Sequence, residues 1–462
     1  MKFSEYIDEL RPKKIAVIGA GVSNLPLIEL LCGENCRVTV CDRRTETQMG
    51  ELASHLRELG ASLQLGEAYL EGLTDFDLLF RTPGLLPLDP HLQAAAAQGV
   101  EITSEMEVFF KLCPCRTIAI TGSDGKTTTS TVISELLKAA GKTVHLGGNI
   151  GHPLLCEIPE MSSEDLCVLE LSSFQLHSMT CKPNVAVVTN VSPNHLDVHP
   201  DFEDYQNSKK SVYRLQDADD RLVVNADNAI TDGFGREAKS RVYRFSRRGP
   251  VERGAWYADG KIWFTDGENA RELIAIDEIK IPGMHNVENY MAAYCAVEGL
   301  VSDETFRQVA RTFSGVEHRL ELIRAIHGVK YINDSIASSP TRALAGLRSF
   351  PPAESLILIA GGHDKHVPFD ELADEICCRC KALFVCGETA EKIAQAVQAS
   401  PHYRPDFPLF IYEDWTENVL AASQFAEPGD TVLLSPACSS FDFFQNFAER
   451  GNLFRKIVME LA

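Results

Sequence analysis

TIAITGSDGKTTTS, residues 117–130, sets a hydrophobic strand, a glycine turn and the start of a helix in immediate succession. The glycines let the backbone curl so that its N–H groups face an anion, and the helix N-terminus adds its dipole. Lys126 stands where an ammonium can neutralise β/γ-phosphate charge, and Thr127 where a hydroxyl can ligate Mg2+. Gly122 precedes Gly125 by three residues rather than the five of the usual phosphate loop. The strand before and the helix after favour nucleotide binding over a chance G-x-x-G-K-T string.

On both sides of this unit, short β-branched runs alternate with helix-length segments, the pattern of parallel α/β architecture. Before it, strands are expected at Ile15–Ile18, Val38–Cys41 and Leu78–Phe80; after it, at Leu166–Leu169 and Val185–Thr189. Between Arg241 and Lys280 the texture turns antiparallel. Ala255–Ala258, Asp259-Gly260 and Lys261–Phe264 read as a hairpin, in a small β sheet appended to the central block. A third block has strands at Val329–Ile332, Leu356–Ala360, Leu383–Cys386 and Thr431–Leu434. Breaks near Cys113-Pro114-Cys115 and Ser314-Gly315 divide the chain into three α/β domains, 1–114, 115–315 and 316–462.

The length of 462 residues suits three domains. With 65 acidic residues against 44 Lys plus Arg, the net charge of −21 disfavours non-specific binding to nucleic acid or anionic membranes. No apolar run is long enough to span a membrane, and MKFSEYIDELRPKK carries acidic residues where a signal peptide would be apolar. A cytoplasmic protein is therefore expected, and a monomer is a separate expectation that these features do not decide. Its 14 cysteines should be reduced: Cys167, Cys295 and Cys386 lie in apolar runs as small hydrophobes. Cys113 with Cys115, and Cys377, Cys378 with Cys380, lack C-x-x-C spacing, so no zinc site is expected.

Near the start, Ile15–Ile18 runs into Gly19-Ala20-Gly21-Val22-Ser23-Asn24, with Asp42 at the end of the next strand, 23 residues after Gly19. Asn24 replaces the third glycine of a dinucleotide fingerprint. Three readings stay open: a nicotinamide site, the diphosphate of another nucleotide, or a tight strand-to-helix turn. With an ATP loop in the same chain, a ligase or transferase is favoured over a dehydrogenase.

Further strings accompany GSDGKTTT: GNIG (148–151), ELSSFQL (170–176), NVSPNHLD (190–197), HNVENYMAA (285–293), GVEHRLE (315–321), YINDSIASSP (331–340), GGHDKHVPFD (361–370) and LSPACSSFDFF (434–444). In content and order they resemble the Mur ligases of peptidoglycan synthesis, ELSSFQL and LSPACSSFDFF matching the branch that adds D-glutamate. The resemblance covers the whole chain. It implies a Rossmann-like first domain, a central P-loop-type ATPase domain and a Rossmann-like third domain. It also implies ATP- and Mg2+-dependent amide formation through an acyl phosphate, joining D-glutamate to UDP-N-acetylmuramoyl-L-alanine.

Residue by residue, the resemblance assigns ATP to Gly122, Ser123, Asp124, Gly125, Lys126, Thr127 and Thr128, with Asn286, Asn289, His318, Arg319 and Asp334. Glu170 and His195 follow buried strands, at carboxyl ends where ligands bind in a parallel sheet. They match metal ligands, with Thr127 on the ATP side; the bland alternatives are a helix cap and a turn residue. Tyr205-Gln206-Asn207-Ser208-Lys209 matches the spacing of a carbamylated lysine, which makes Lys209 a metal ligand and leaves neighbouring Lys210 as a rival; the alternative is a solvated helix face. Lys126, Glu170, His195, Lys209 and Arg319 form the implied catalytic set. The UDP-substrate falls to Gly21, Val22, Ser23, Asp42, Arg43, Thr82, Pro83 and Gly84, with Asn149, Ser172 and His195 nearer the muramoyl end. D-glutamate falls to Ser338, Lys365, Ser440, Phe441 and Phe447. The chain departs from the family string N-D-S-K-A-T at Ile336, which stands in place of the lysine; Lys365, His363, His366 or Arg342 could compensate.

Overall fold

A computed structural model of the chain describes residues 1–21, 23–150, 153–194, 198–364 and 367–461. The chain forms two compact units, Met1–Phe313 and Ser314–Ala462. The first unit contains two sheets.

Its first sheet has strands β1 (Lys14–Ile18), β2 (Arg37–Asp42), β3 (Ser62–Leu65), β4 (Leu78–Phe80) and β5 (Glu101–Thr103). All pair in parallel, in the order β3-β2-β1-β4-β5. The chain winds outward one way from β1 and then returns to its other side. The loops after β1 and β4 therefore flank a topological switch point, where open α/β sheets bind ligands.

The second sheet comprises β6 (Arg116–Thr121), β7 (Val144–Gly148), β8 (Leu166–Glu170), β9 (Val185–Val188), β10 (Arg221–Asn225), β11 (Arg241–Ser246), β12 (Gly254–Ala258), β13 (Lys261–Thr265) and β14 (Ala270–Ala275). Its order is β14-β13-β12-β11-β10-β9-β6-β8-β7. The expected hairpin is present, with Asp259 at φ 51° and Gly260 at φ 73°, the two left-handed residues that a tight primed turn requires. It is not a separate appended sheet, however. Strand β12 pairs in parallel with β11, so the antiparallel strands prolong the central sheet at its edge. The helix Met284–Val297 is apolar around most of its girth, as a helix packed on all sides must be. It lies against the helix Lys126–Ala139 and so brings its asparagines to the phosphate loop.

The second unit holds β15 (Glu321–Ile326), β16 (Val329–Asn333), β17 (Ser355–Ala360), β18 (Cys380–Cys386), β19 (Leu409–Tyr412) and β20 (Asp430–Leu434). The order is β15-β16-β20-β17-β18-β19, parallel except for the β15–β16 hairpin. Arg450 is buried in this unit and has no carboxylate partner among the described residues. Its guanidinium instead donates to Ser335 O (3.1 Å), Cys438 O (2.9 Å) and Ser439 O (3.3 Å), gathering two loops beneath one side chain.

Within the first unit, Glu105 opens the helix that follows β5 and is buried. It accepts the Leu155 N–H at 3.0 Å, tying the first sheet's last helix to the central part. Burial pushes its carboxyl up to about 7 from 4.5. A carboxyl raised in the folded state contributes stability that is complete below pH 4.5 and is lost as pH climbs through 7. The loss amounts to about 3 kcal/mol. In urea unfolding across this window, the wild type should weaken with rising pH relative to Glu105→Gln. Parallel stability curves for the two proteins would remove the buried-carboxyl account.

Candidate functional site

The phosphate loop is fixed by contacts that leave no room for side chains. A Cβ on Gly122, which sits at φ +149°, would lie 1.9 Å from Thr189 Oγ1. One on Gly125, at φ +78°, would lie 2.5 Å from Asn289 Oδ1. The loop leans on the segment after β9. Ser123 N–H donates to Asn190 O (2.9 Å), Asp124 N–H to Asn190 Oδ1 (3.0 Å), and Thr189 Oγ1 donates to Asp124 O (2.6 Å). Gly125 is the N-cap of the helix Lys126–Ala139, and no side chain caps it. The first-turn N–H groups thus lack the side-chain acceptor that most helices supply, which suits them to an anion. Asn289 accepts from Thr129 Oγ1 at 3.2 Å and donates to Asn286 Oδ1 at 3.2 Å, so these two asparagines line the back of the loop.

Two lysines converge on one carbonyl. Lys126 Nζ donates to Gly122 O (3.0 Å) and Ser123 O (2.9 Å), and Lys209 Nζ donates to the same Gly122 O at 2.9 Å. Lys209 is 1% exposed and stands 4.4 Å over the Tyr205 ring, whose hydroxyl meets Ser123 Oγ at 2.9 Å. Burial, and then the charge of Lys126, push the Lys209 ammonium well below the ordinary lysine range, with Asp124 opposing. Lys210, by contrast, turns outward to Glu237 at 3.0 Å.

Glu170 ends β8 directly beside Ile120 of β6, so its carboxylate shares the loop's end of the sheet. It is 2% exposed. One oxygen accepts the Asn149 amide at 2.9 Å; the other is buried and has no partner among the described residues. An orphaned carboxylate oxygen beside a phosphate loop is a hard donor of the kind Mg2+ takes. His195, the other residue expected here, lies outside the described residues.

Sequence reasoning passed over a cluster that braces this end of the sheet. His199 has Nδ1 2.7 Å from Asp204 Oδ2 and Nε2 3.0 Å from Ser173 Oγ, and its ring stands edge-on to Tyr205 at 5.2 Å. His177 joins the same carboxylate at 3.0 Å. The short helix of ELSSFQL is thereby tied to the helix carrying Tyr205 and Lys209. Ser172 caps that short helix, accepting the Gln175 N–H. The sequence signal was a pair of histidines just past the quoted strings, His177 after ELSSFQL and His199 two residues after NVSPNHLD, 22 residues apart, with nothing local to say that they meet.

At the first sheet's switch point, a Cβ on Gly19 would lie 3.5 Å from Thr82 Cβ, so the Gly19–Asn24 loop and the Thr82-Pro83-Gly84 loop adjoin. Asn24 takes the third glycine's place with a purpose: its amide donates to Ile18 O (3.0 Å) and Gly19 O (3.1 Å) and closes the turn. Asp42 accepts Ala20 N–H at 2.8 Å and is gripped by Arg44 at 2.8 Å, whereas Arg43 is exposed. Gly21 and Ser23 are exposed on the rim, and Val22 lies outside the described residues. Buried Arg81, unanticipated, links the second loop to the central part through Leu85 O (2.8 Å) and Ser178 Oγ (2.9 Å).

In the second unit, His318 sits at φ 63° and meets the Asn333 amide at 3.0 Å, while Arg319 beside it is half-buried. Asp334 is buried, accepts from Ser435 Oγ (2.8 Å) and Leu320 N–H (3.2 Å), and is pushed up to about 7 by burial. Ser440 is buried; Phe441 is 67% exposed, and Phe447, 37% exposed, stands edge-on to His318 with ring centroids 5.9 Å apart. Ser338 is half-buried on the segment after β16. At the departure, Ile336, Arg342 Nη1 reaches the backbone oxygen at 3.4 Å. His363 is engaged by Glu388 at 2.8 Å. Lys365 and His366 lie outside the described residues.

Family models for the Mur ligase MurD-like N-terminal domain, the Mur ligase middle domain and the Mur ligase glutamate ligase domain match residues 13–104, 120–297 and 318–438. A UDP-N-acetylmuramoylalanine--D-glutamate ligase from Acetivibrio thermocellus is 49% identical over 460 residues, covering 99% of this chain and 98% of its own. The Clostridium novyi protein of that name is 47% identical over 460 residues, covering 99% of each chain. Among solved structures, the UDP-N-acetylmuramate-alanine ligase MurC of Thermotoga maritima superposes with a TM-score of 0.58 at 18% identity, over 97% of this chain and 98% of that one. The Thermotoga maritima MurF ligase in complex with ADP gives 0.55 at 17% identity, over 99% and 97%. At such identities the two structures bear on the fold alone.

Proposed function

The chain belongs to the Mur ligase family, and from that premise we propose that it joins D-glutamate to UDP-N-acetylmuramoyl-L-alanine with ATP, as a monomeric cytoplasmic enzyme of peptidoglycan precursor synthesis. The observation that carries the chemistry is the convergence of Lys126 and Lys209 on Gly122 O beneath an uncapped helix N-terminus. Phosphoryl transfer to a carboxylate brings anions together, and such a cradle lowers that cost electrostatically.

The alanyl carboxylate oxygen attacks the γ-phosphorus, the bond to the β-phosphate oxygen breaks, and ADP leaves. The acyl phosphate then accepts the D-glutamate amine at its carbonyl carbon, loses inorganic phosphate and gives the amide. Gly122–Thr128 hold the phosphates, with Lys126 and Arg319 meeting the charge that develops on the transferred group. Asn286, Asn289, His318 and Asp334 hold the remaining nucleotide. Thr127, Glu170, His195 and the carbamate of Lys209 would hold Mg2+, which when bound neutralises phosphate charge. In this reading residues 1–114 bind the UDP-substrate through the Gly19 and Thr82 loops, 115–315 bind ATP, and 316–462 bind the amino acid. Ser338, Lys365, Ser440, Phe441 and Phe447 take the D-glutamate, and Arg342 supplies a cation near Ile336.

The test is phosphate release with ATP, Mg2+ and UDP-N-acetylmuramoyl-L-alanine across a panel of D- and L-amino acids. Release with D-glutamate, matched by the corresponding mass gain of the UDP-substrate, is the expected result. Release with another amino acid instead would move the specificity to the altered pocket at Ile336, and no release with any acceptor would end the proposal.

A further inference from the structure

The residues 113–115 that connect the first sheet's last helix to β6 carry Cys113 and Cys115, and folding brings Cys167 of β8 to them. The three sulfur atoms all lie within 4.8 Å of one another. Cys113 Sγ and Cys167 Sγ are 3.7 Å apart. That spacing is close to the edge of a tetrahedron around zinc, about 3.8 Å for Zn–S bonds of about 2.3 Å. It is far beyond the S–S bond length of about 2.05 Å. Cys115 and Cys167 are buried in the apolar core that joins the two sheets of the unit, and Cys113 is half-buried at its edge, which leaves an entry path.

His145 on β7 is the direct register partner of Cys167, so the two side chains share one face of the sheet. Its ring is held by carboxylates, Nε2 3.1 Å from Asp165 Oδ2 and Nδ1 3.5 Å from Glu157 Oε2. Both ring nitrogens are thus engaged, so the imidazole flanks the site, and the fourth position falls to the half-buried edge at Cys113, open to water. Sequence spacing excluded this site only because its third cysteine comes from a strand more than fifty residues on.

We propose that Cys113, Cys115 and Cys167 form a soft-metal site that takes a tetrahedral divalent ion, zinc, with a solvent water on the fourth position. Binding releases the three thiol protons to solvent and replaces weak sulfur contacts with bonds that clamp the 113–115 connection to the sheet. The site is separate from the phosphate loop, and its role is to fix the connection between the two sheets of the first unit.

The test uses the full-length chain, reduced and stripped of metal, titrated anaerobically with Co2+. One equivalent should give the thiolate-to-cobalt charge-transfer band and the strong visible bands of tetrahedral cobalt, and zinc should bleach both. Cys113→Ser and Cys115→Ser should each weaken binding by more than the roughly 10- to 100-fold that loss of an outer-shell partner costs, while Cys378→Ser, an exposed thiol in the other unit, should bind as the wild type does. Absence of the bands in the wild type, or bands unchanged in both cysteine variants, overturns the proposal. So does a protein that takes up no cobalt but loses two thiols to mild peroxide, which would make Cys113 and Cys167 an oxidisable pair.

Discussion

Lys126→Ala is expected to lower the ATP-dependent ligase rate by about three orders of magnitude and to leave the fold in place. The two halves of that expectation have separate physical grounds. The ammonium sits over the loop's own carbonyls, Gly122 O and Ser123 O, at the place where the proposed function puts the nucleotide's phosphates. The other ammonium at this loop, Lys209, is buried on Gly122 O and its charge is disfavoured, so it is a poor substitute for Lys126. Stability should hardly change, because alanine is a better helix former than lysine. Removing Lys126 also relieves the charge that disfavours protonated Lys209. Thermal unfolding and steady-state phosphate release on the same preparation check both halves. A rate within tenfold of wild type, with the melting transition unchanged, would take the phosphate cradle away from Lys126.

The strands legible in the sequence are the interior ones, and the reason is visible in the sheet orders. Ile15–Ile18, Val185–Thr189 and Leu356–Ala360 are buried on both faces and so read as unbroken apolar runs. Of the strands missed, β3, β5, β7, β15 and β19 stand at sheet edges, half-wetted, with patterns such as the Ser-Leu-Gln-Leu of β3. Interior β10 was missed for a different reason: its apolar run is only Leu222-Val223-Val224, after a polar stretch. The site divides along a similar line. Glycines and lysines in a local string declare themselves, because the chemistry needs them at fixed spacing. Arg81, Arg450 and His199 do not, since a single polar letter says nothing about burial, and each acts by joining segments far apart in the chain. Asn24 belongs between the two cases. It looked like a defect in the glycine fingerprint, and its amide proves to close the turn that the glycine would have left open.

Lys209→Ala should remove activity to a similar degree, about three orders of magnitude, and recover part of it when formate or acetate is added. The argument starts from an energetic conflict. A fully buried ammonium, sharing one carbonyl with a second ammonium, loses solvation and suffers repulsion together. Both effects favour the neutral amine, which is the form that attacks CO2; the amine nitrogen bonds to carbon, a proton leaves, and a carbamate anion remains. That product converts the repulsion from Lys126 into attraction and, on the proposed assignment, offers two further oxygens to the metal for which the unpartnered Glu170 oxygen is a candidate donor. Truncation to alanine leaves a space into which a small carboxylate can carry the same oxygens. Lys210 supplies the control, because it is paired outward with Glu237 and Lys210→Ala should retain activity and ignore added acid. Labelled CO2 should appear on the wild type and on Lys210→Ala, and be absent from Lys209→Ala. If Lys209→Ala turns over at the wild-type rate without added acid, the carbamate is dismissed and the buried lysine is only a brace for the loop.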